Sequence, residues 1–299
     1  MIGKPIRRYS AMYFRWSPVI LFVSGFMSSF LLGGIFLLVS NRQNVIVPNY
    51  YAEYNSLSAG RILFDNSAHH KRRLSVVIFG DSLTERGFYT DNGAGWIALL
   101  SNWWSRKADV YNRGYGGYNT RWASHIFEET VIPLSPDFLI LFFGANDAVR
   151  EGASQHVPVA EYERNIETLI MTALKKSEKA LRILLITPPP ADEEALQRRH
   201  KVVYRRNNRT KMYADAVTRI GQKKNIVVLD LWTMFFNNLN DVRHDCYMDG
   251  LHFSAVGNML LFKSITALIM KNFPVLDPSQ LALDFPDFKF FVNKTQKDN

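Results

Sequence analysis

Hydrophobic and polar positions divide the chain into two unlike parts. From Trp16 to Ser40 no residue is charged, and the apolar run SPVILFVSGFMSSFLLGGIFLLVS fills residues 17–40. A bilayer core takes about 20 apolar residues in helical form, so this run is expected to be one transmembrane helix. A cleaved leader has a shorter apolar centre and a small-residue cleavage site, which Val39-Ser40 matches poorly. From residue 74 the pattern changes. LSVVIF (74–79), a weaker run from Val110 to Gly114, FLILFF (138–143), ILLIT (183–187) and IVVLD (226–230) are short, continuous and rich in β-branched residues. Such runs predict strands covered on both faces, as in a parallel sheet.

Between the runs, helical patterns are read over 94–106, 120–130, 159–177, 202–220 and 255–271. In the third, Ile166, Leu169, Ile170, Ala173 and Leu174 recur at the spacing of one helix face. Alternating strands and helices predict right-handed βαβ units and a doubly wound α/β sheet of five parallel strands. Pro188-Pro189-Pro190 must be a loop, because proline cannot continue a ladder. The resulting organisation is a short N-terminus (1–16), the span (17–40), a polar linker (41–73), the α/β domain (74–272) and a C-terminal extension (273–299). The linker ends in His69-His70-Lys71-Arg72-Arg73, read as a solvated tether.

A net charge of +9 suggests a polyanionic partner until it is located. Nine Lys/Arg and two acids lie in residues 1–73, leaving 27 basic and 25 acidic residues in the remainder. The α/β domain is thus nearly balanced, which argues against nucleic acid. Lys4, Arg7, Arg8 and Arg15 precede the span, and Arg42 alone follows closely. The positive-inside rule then keeps the N-terminus cytoplasmic and puts the domain in a lumen or outside the cell. Cys246 is the single cysteine, so neither an internal disulfide nor a cysteine-based metal site is expected.

In open α/β sheets, sites form beyond the carboxyl ends of the strands. Gly80-Asp81-Ser82-Leu83 follows the first strand directly. Alone it reads equally well as a turn or helix cap. Asp249-Gly250-Leu251-His252 precedes the last helix and offers an imidazole with a carboxylate three residues earlier. Ser82 as nucleophile, His252 as base and Asp249 as its orienting partner would form a triad, which is defined by geometry rather than chain order. Acyl transfer also needs donors for a developing oxyanion. The Ser82 amide, Gly117 in the loop after the second strand and Asn146 after the third are the candidates. Asp81 and Asp147 are read as loop organisers, Trp103-Trp104 as helix packing and Cys246 as a packed side chain. His125, His156, His200 and His244 lack the surroundings of His252.

These blocks, GDSL at 80–83, GGYNTRW at 116–122, GAND at 144–147 and DGLH at 249–252, resemble the SGNH (GDSL) hydrolase superfamily in order and spacing over residues 74–272. FGDSLTE, RGYGGYNTRWA, FFGANDA, ITPPP, DGLHFSAVGN and the tail FPVLDPSQLALDFPDF are similar to its isoamyl acetate-hydrolysing esterase subgroup. The resemblance implies a flavodoxin-like three-layer α/β/α sandwich and no metal or organic cofactor. It also implies a serine esterase with catalytic Ser82, Asp249 and His252 and an oxyanion hole of Ser82, Gly117 and Asn146. The substrate would be a small ester, or a lipid or glycan ester at the membrane. A membrane-bound deacylase or acyltransferase using the same triad is the second reading, and a non-catalytic binding module the third.

Overall fold

The computed structural model describes residues 72–91, 93–200, 204–237 and 243–290. The N-terminus (1–16), the expected span over 17–40, the linker as far as Lys71 and residues 291–299 of the C-terminal extension lie outside the described residues. Among the described residues no helix is long and apolar enough to cross a membrane.

Five parallel strands form one sheet in the order β2-β1-β3-β4-β5. They are β1 (Leu74–Gly80), β2 (Ala108–Gly114), β3 (Phe138–Phe142), β4 (Arg182–Ile186) and β5 (Val227–Leu229). The helices are α1 (Ser82–Glu85), α2 (Trp96–Trp103), α3 (Thr120–Thr130), α4 (Val159–Lys176), α5 (Glu193–His200), α6 (Asn207–Lys224), α7 (Leu231–Asn237), α8 (Arg243–Cys246) and α9 (Ala255–Asn272).

The continuous apolar runs have the cause inferred from them. Along β1, Val76 and Ile78 point to one face, where they join Trp96, Leu100, Leu261 and Ile265 from α2 and α9. Val77 and Phe79 point to the other, among Phe127, Ile166, Leu169 and Val217 from α3, α4 and α6. All four β1 side chains are fully buried. Each such burial contributes about 1.5–3 kcal/mol, so strand and helices hold one another in place.

Helix ends follow local chemistry. The Asn119 side chain accepts from Trp122 N–H at the start of α3 (3.0 Å), and the Ser254 hydroxyl accepts from Gly257 N–H at the start of α9 (3.3 Å). Asn225 ends α6 in the left-handed region at φ 52°. Two expected helices differ. The one expected over 94–106 is shorter, from Trp96 to Trp103, and Arg106 beyond it has φ 62°. That expected over 202–220 runs as α6 from Asn207 to Lys224. Helices α5, α7 and α8 were not read at all. The first, EEALQRRH, has too few apolar residues to show a period, and LWTMFFN is too uniformly apolar.

The described end of the linker is anchored. Arg72 pairs with Asp137 at 2.7 Å, and Arg73 with Asp284 of the C-terminal extension at 2.6 Å. Trp104 Nε1 donates to the Leu276 carbonyl at 2.8 Å, so the extension is also fixed to the end of α2.

Strand order reverses between β1 and β3, which opens a crevice at their carboxyl ends. Gly80 lies in register with Gly114 of β2 and with Phe142 of β3. The loops that follow these three residues therefore start side by side, about 4.8 Å apart. The α1 turn can sit directly on these ends because side chains are missing there. A Cβ on Gly114 would stand 2.0 Å from Glu85 N and 2.4 Å from Glu85 Cα. Both are backbone atoms of the α1 turn and have no room to move. Gly114→Ala is expected to destabilise the fold by about 1–3 kcal/mol. In urea melts the midpoint should fall at unchanged slope; a parental midpoint would contradict this account.

Candidate active site

Each candidate residue is set by local rules. Gly80 ends β1, the Asp81 side chain caps α1 by accepting from Leu83 N–H (2.9 Å), and Ser82 is the first residue of the helix. The other half of the site is a tight loop. Tyr247 and Phe253 form an antiparallel bridge, and Met248 N–H donates to the His252 carbonyl at 2.8 Å. Inside it Gly250 has φ 91°, a conformation open to glycine. The loop wraps around the carboxylate of Asp249. One oxygen, Oδ1, accepts from Leu251 N–H at 3.1 Å and His252 N–H at 2.8 Å. The other, Oδ2, lies 2.7 Å from His252 Nδ1.

His252 Nε2 lies 2.9 Å from Ser82 Oγ. An ionised carboxylate only accepts, so Nδ1 carries the proton and Nε2 is left to accept from the hydroxyl. The structure thus brings Ser82, His252 and Asp249 into one hydrogen-bonded chain. Burial pushes the Asp249 carboxyl up, but hydrogen bonds from the His252 ring and amide and from the Leu251 amide hold it well below the usual carboxylate range. Arg86 adds a guanidinium 3.8 Å from Oδ2.

The three candidate oxyanion donors also have a common state. Ser82 N–H and Gly117 N–H donate to no acceptor among the described residues. Asn146 is buried and gives one Nδ2 proton to the Tyr118 carbonyl at 2.9 Å, which leaves the second uncommitted. Gly117 has φ 81°, and its carbonyl accepts from Gln155 Nε2 at 2.7 Å. The crevice has a small pocket of about 30 Å³ lined by Ser82, Arg86, Tyr89, Met248, His252 and Phe253. A larger one of about 500 Å³ lies on another side of His252, lined in part by Arg150, Gln155, Tyr204, Arg205 and Leu251.

Two further carboxyls behave differently from Asp249. Burial pushes Asp81 and Asp147 up to about 7. Thr120 donates to Asp147 Oδ1 through its amide (2.9 Å) and hydroxyl (2.5 Å), while Oδ2 has no partner among the described residues. Both thus act as loop organisers. Cys246 is buried, with its thiol pushed up to about 11 by that burial, and is a packed side chain. His156 is turned to the carbonyls of Asp147 and Val149 (3.1 and 2.9 Å), and the side chains of His200 and His244 lie outside what is described.

Sequence reasoning missed Arg205. Its guanidinium donates to the Ala145 carbonyl and, at 2.8 Å, to Asn146 Oδ1. Residues 145 and 205 are 60 positions apart, and Arg205 lay inside a stretch read as helix, so no local pattern pointed to it. Gln155 was missed for the same reason.

A parallel α/β sheet carrying a serine, an imidazole and a carboxylate in series at its crevice is the arrangement of a serine hydrolase. The model for the GDSL-like lipase/acylhydrolase family matches residues 78–260. A GDSL esterase/lipase of Arabidopsis thaliana is 36% identical over 230 residues, 72% of this chain and 92% of that protein. An isoamyl acetate-hydrolysing esterase 1 homolog of Mus musculus is 36% identical over 208 residues, 66% of this chain and 82% of the relative. Among solved structures, a lipase/acylhydrolase from Enterococcus faecalis is 28% identical with a TM-score of 0.54, covering 66% of this chain and 96% of that one. The chain belongs to the GDSL-like lipase/acylhydrolase family and is a GDSL serine ester hydrolase.

The raised Asp147 carboxyl links stability to pH. Unfolded, the group ionises near 3.8; folded, it holds its proton to about 7. Between these values the folded state binds the extra proton, so stability falls as pH rises, by about 1.4 kcal/mol per unit for one group. Asp249 acts in the opposite sense: its contribution is present above the unfolded value and is lost only as pH falls below it. Asp147→Asn should therefore flatten part of the decline between pH 4 and 7 in urea melts. A slope equal to the parent's would show that Asp147 ionises normally.

Proposed function

We propose that the protein hydrolyses esters of short carboxylic acids through an acyl-enzyme on Ser82. The observation that carries this is the series Ser82 Oγ, His252 Nε2, His252 Nδ1 and Asp249 Oδ2, with links of 2.9 and 2.7 Å. Ser82 Oγ attacks the ester carbonyl carbon while its proton passes to His252 Nε2. The imidazolium is stabilised by Asp249, which stays ionised. The carbonyl oxygen, now an oxyanion, is held by Ser82 N–H, Gly117 N–H and the free Asn146 N–H. Collapse breaks the bond to the alkoxide, which leaves as the alcohol with the proton from His252. Water then gives its proton to His252, attacks the acyl carbon, and the carboxylic acid departs as Ser82 regains its hydrogen.

The small pocket beside Ser82 supports a short acyl group, and relatives named for isoamyl acetate hydrolysis agree with it. The wider pocket next to His252 is suited to the alcohol portion. Ser82→Ala should lower kcat on p-nitrophenyl acetate by about 10⁴-fold or more. The parent should also form a fluorophosphonate adduct on Ser82. Parental turnover by the variant would end this reading.

The second reading, a membrane-associated deacylase or acyltransferase with the same acyl-enzyme, is favoured by the uncharged stretch from Trp16 to Ser40. In this reading residues 17–40 anchor the protein with the N-terminus cytoplasmic and the catalytic domain on the far side. Protease added to sealed vesicles should spare the domain until detergent is present; digestion without detergent would refute the orientation.

A further inference from the structure

We infer that Arg205 is a positioning residue of the oxyanion hole: it fixes the Asn146 carboxamide with its nitrogen, not its oxygen, toward the crevice. The inference rests on the reading of Asn146 as an oxyanion donor. A primary amide has two orientations that differ by exchange of O and NH₂. They are close in shape and opposite in effect, since an amide oxygen turned to an oxyanion would repel it. Asn146 alone has no preference between them.

The neighbours supply the preference. The Arg205 guanidinium only donates, and Nη2 lies 2.8 Å from Asn146 Oδ1. The Tyr118 carbonyl only accepts, and it takes a proton from Nδ2 at 2.9 Å. Rotating the amide by half a turn would set donor against donor on the Arg205 side and acceptor against acceptor on the Tyr118 side. Both bonds would be lost, and the one to arginine is charge-assisted. The other guanidinium nitrogen, Nη1, donates to the Ala145 carbonyl, so a single planar fork holds adjacent backbone and side-chain oxygens. Lysine, a point charge on a flexible stem, lacks that fork.

Electrostatics act in the same direction. Arg205 is partly buried and within the field of Asp249, the carboxylate that stays ionised. The Arg205 charge reaches a developing oxyanion through the Asn146 amide, which it polarises by its bond to Oδ1.

A double-mutant cycle on the full-length protein with p-nitrophenyl acetate tests this. Asn146→Ala should lower kcat by about 10²–10³-fold. Arg205→Met should lower kcat by about 10–10²-fold, the range for a misplaced catalytic group, with KM little changed. In the Asn146→Ala background, Arg205→Met should add less than about threefold, because the group it positions is gone. Arg205→Lys, with the charge retained and the fork lost, should keep the parental melting temperature and still lose about tenfold in kcat. Parental kcat in either Arg205 variant, or effects that multiply in the double variant, would overturn the assignment of Arg205 alone. An Asn146→Ala variant with parental kcat would overturn it together with the oxyanion reading.

Discussion

The 2.9 Å contact between Ser82 Oγ and His252 Nε2 joins residues 170 positions apart, and the rest of the molecule is organised so that it can form. The central sheet holds the ends of β2, β1 and β3 in register. Glycines at Gly80 and Gly114 let the α1 turn sit directly on those ends. On the opposite side of the contact, a pinched loop presents the imidazole just before α9, whose apolar face is buried against the same sheet. Sheet packing thus fixes where the hydroxyl is, and α9 packing fixes where the ring is.

The site sorts its carboxyls by their hydrogen-bond donors. Asp249 receives two amide protons and one ring proton, enough to keep it ionised despite partial burial. Asp81 and Asp147 are fully enclosed with fewer or weaker donors, and burial dominates. The charge is thereby concentrated on the one carboxylate that touches the imidazole. Asp81 and Asp147, which hold their protons up to about 7, cap the loops they sit in and do not touch the imidazole.

Much of this was legible in the chain. The runs at 74–79, 138–143 and 183–187 are buried on both sides, and such strands have no need for polar alternation. The positions of Ser82, Asp249 and His252 could be read because each lies in a short local block whose turn residues have a local reason. Asp249 and His252 even share one loop. Arg205 and Gln155 could not be read, because their roles consist of bonds to carbonyls and amides tens of residues away, and an arginine before a helix carries no local sign of that. The start of α6 was misread for a similar reason. That start is fixed by Asn207 itself, whose side chain bonds both the amide and the carbonyl of Ala191, a contact across 16 positions. The linker's final arginines read as free charges because their partners, Asp137 and Asp284, are remote in sequence.

The Tyr247–Phe253 bridge has a mechanical consequence. Imidazole and carboxylate are carried by one closed loop and bonded to each other within it, so their relative placement is set inside that loop. That loop meets the α1 turn and the residue after it through Ser82 Oγ at His252 Nε2 and through Arg86, 3.8 Å from Asp249 Oδ2. A displacement of the loop would part the Ser82 hydroxyl from the ring while the bonds between His252 and Asp249 stay closed within it.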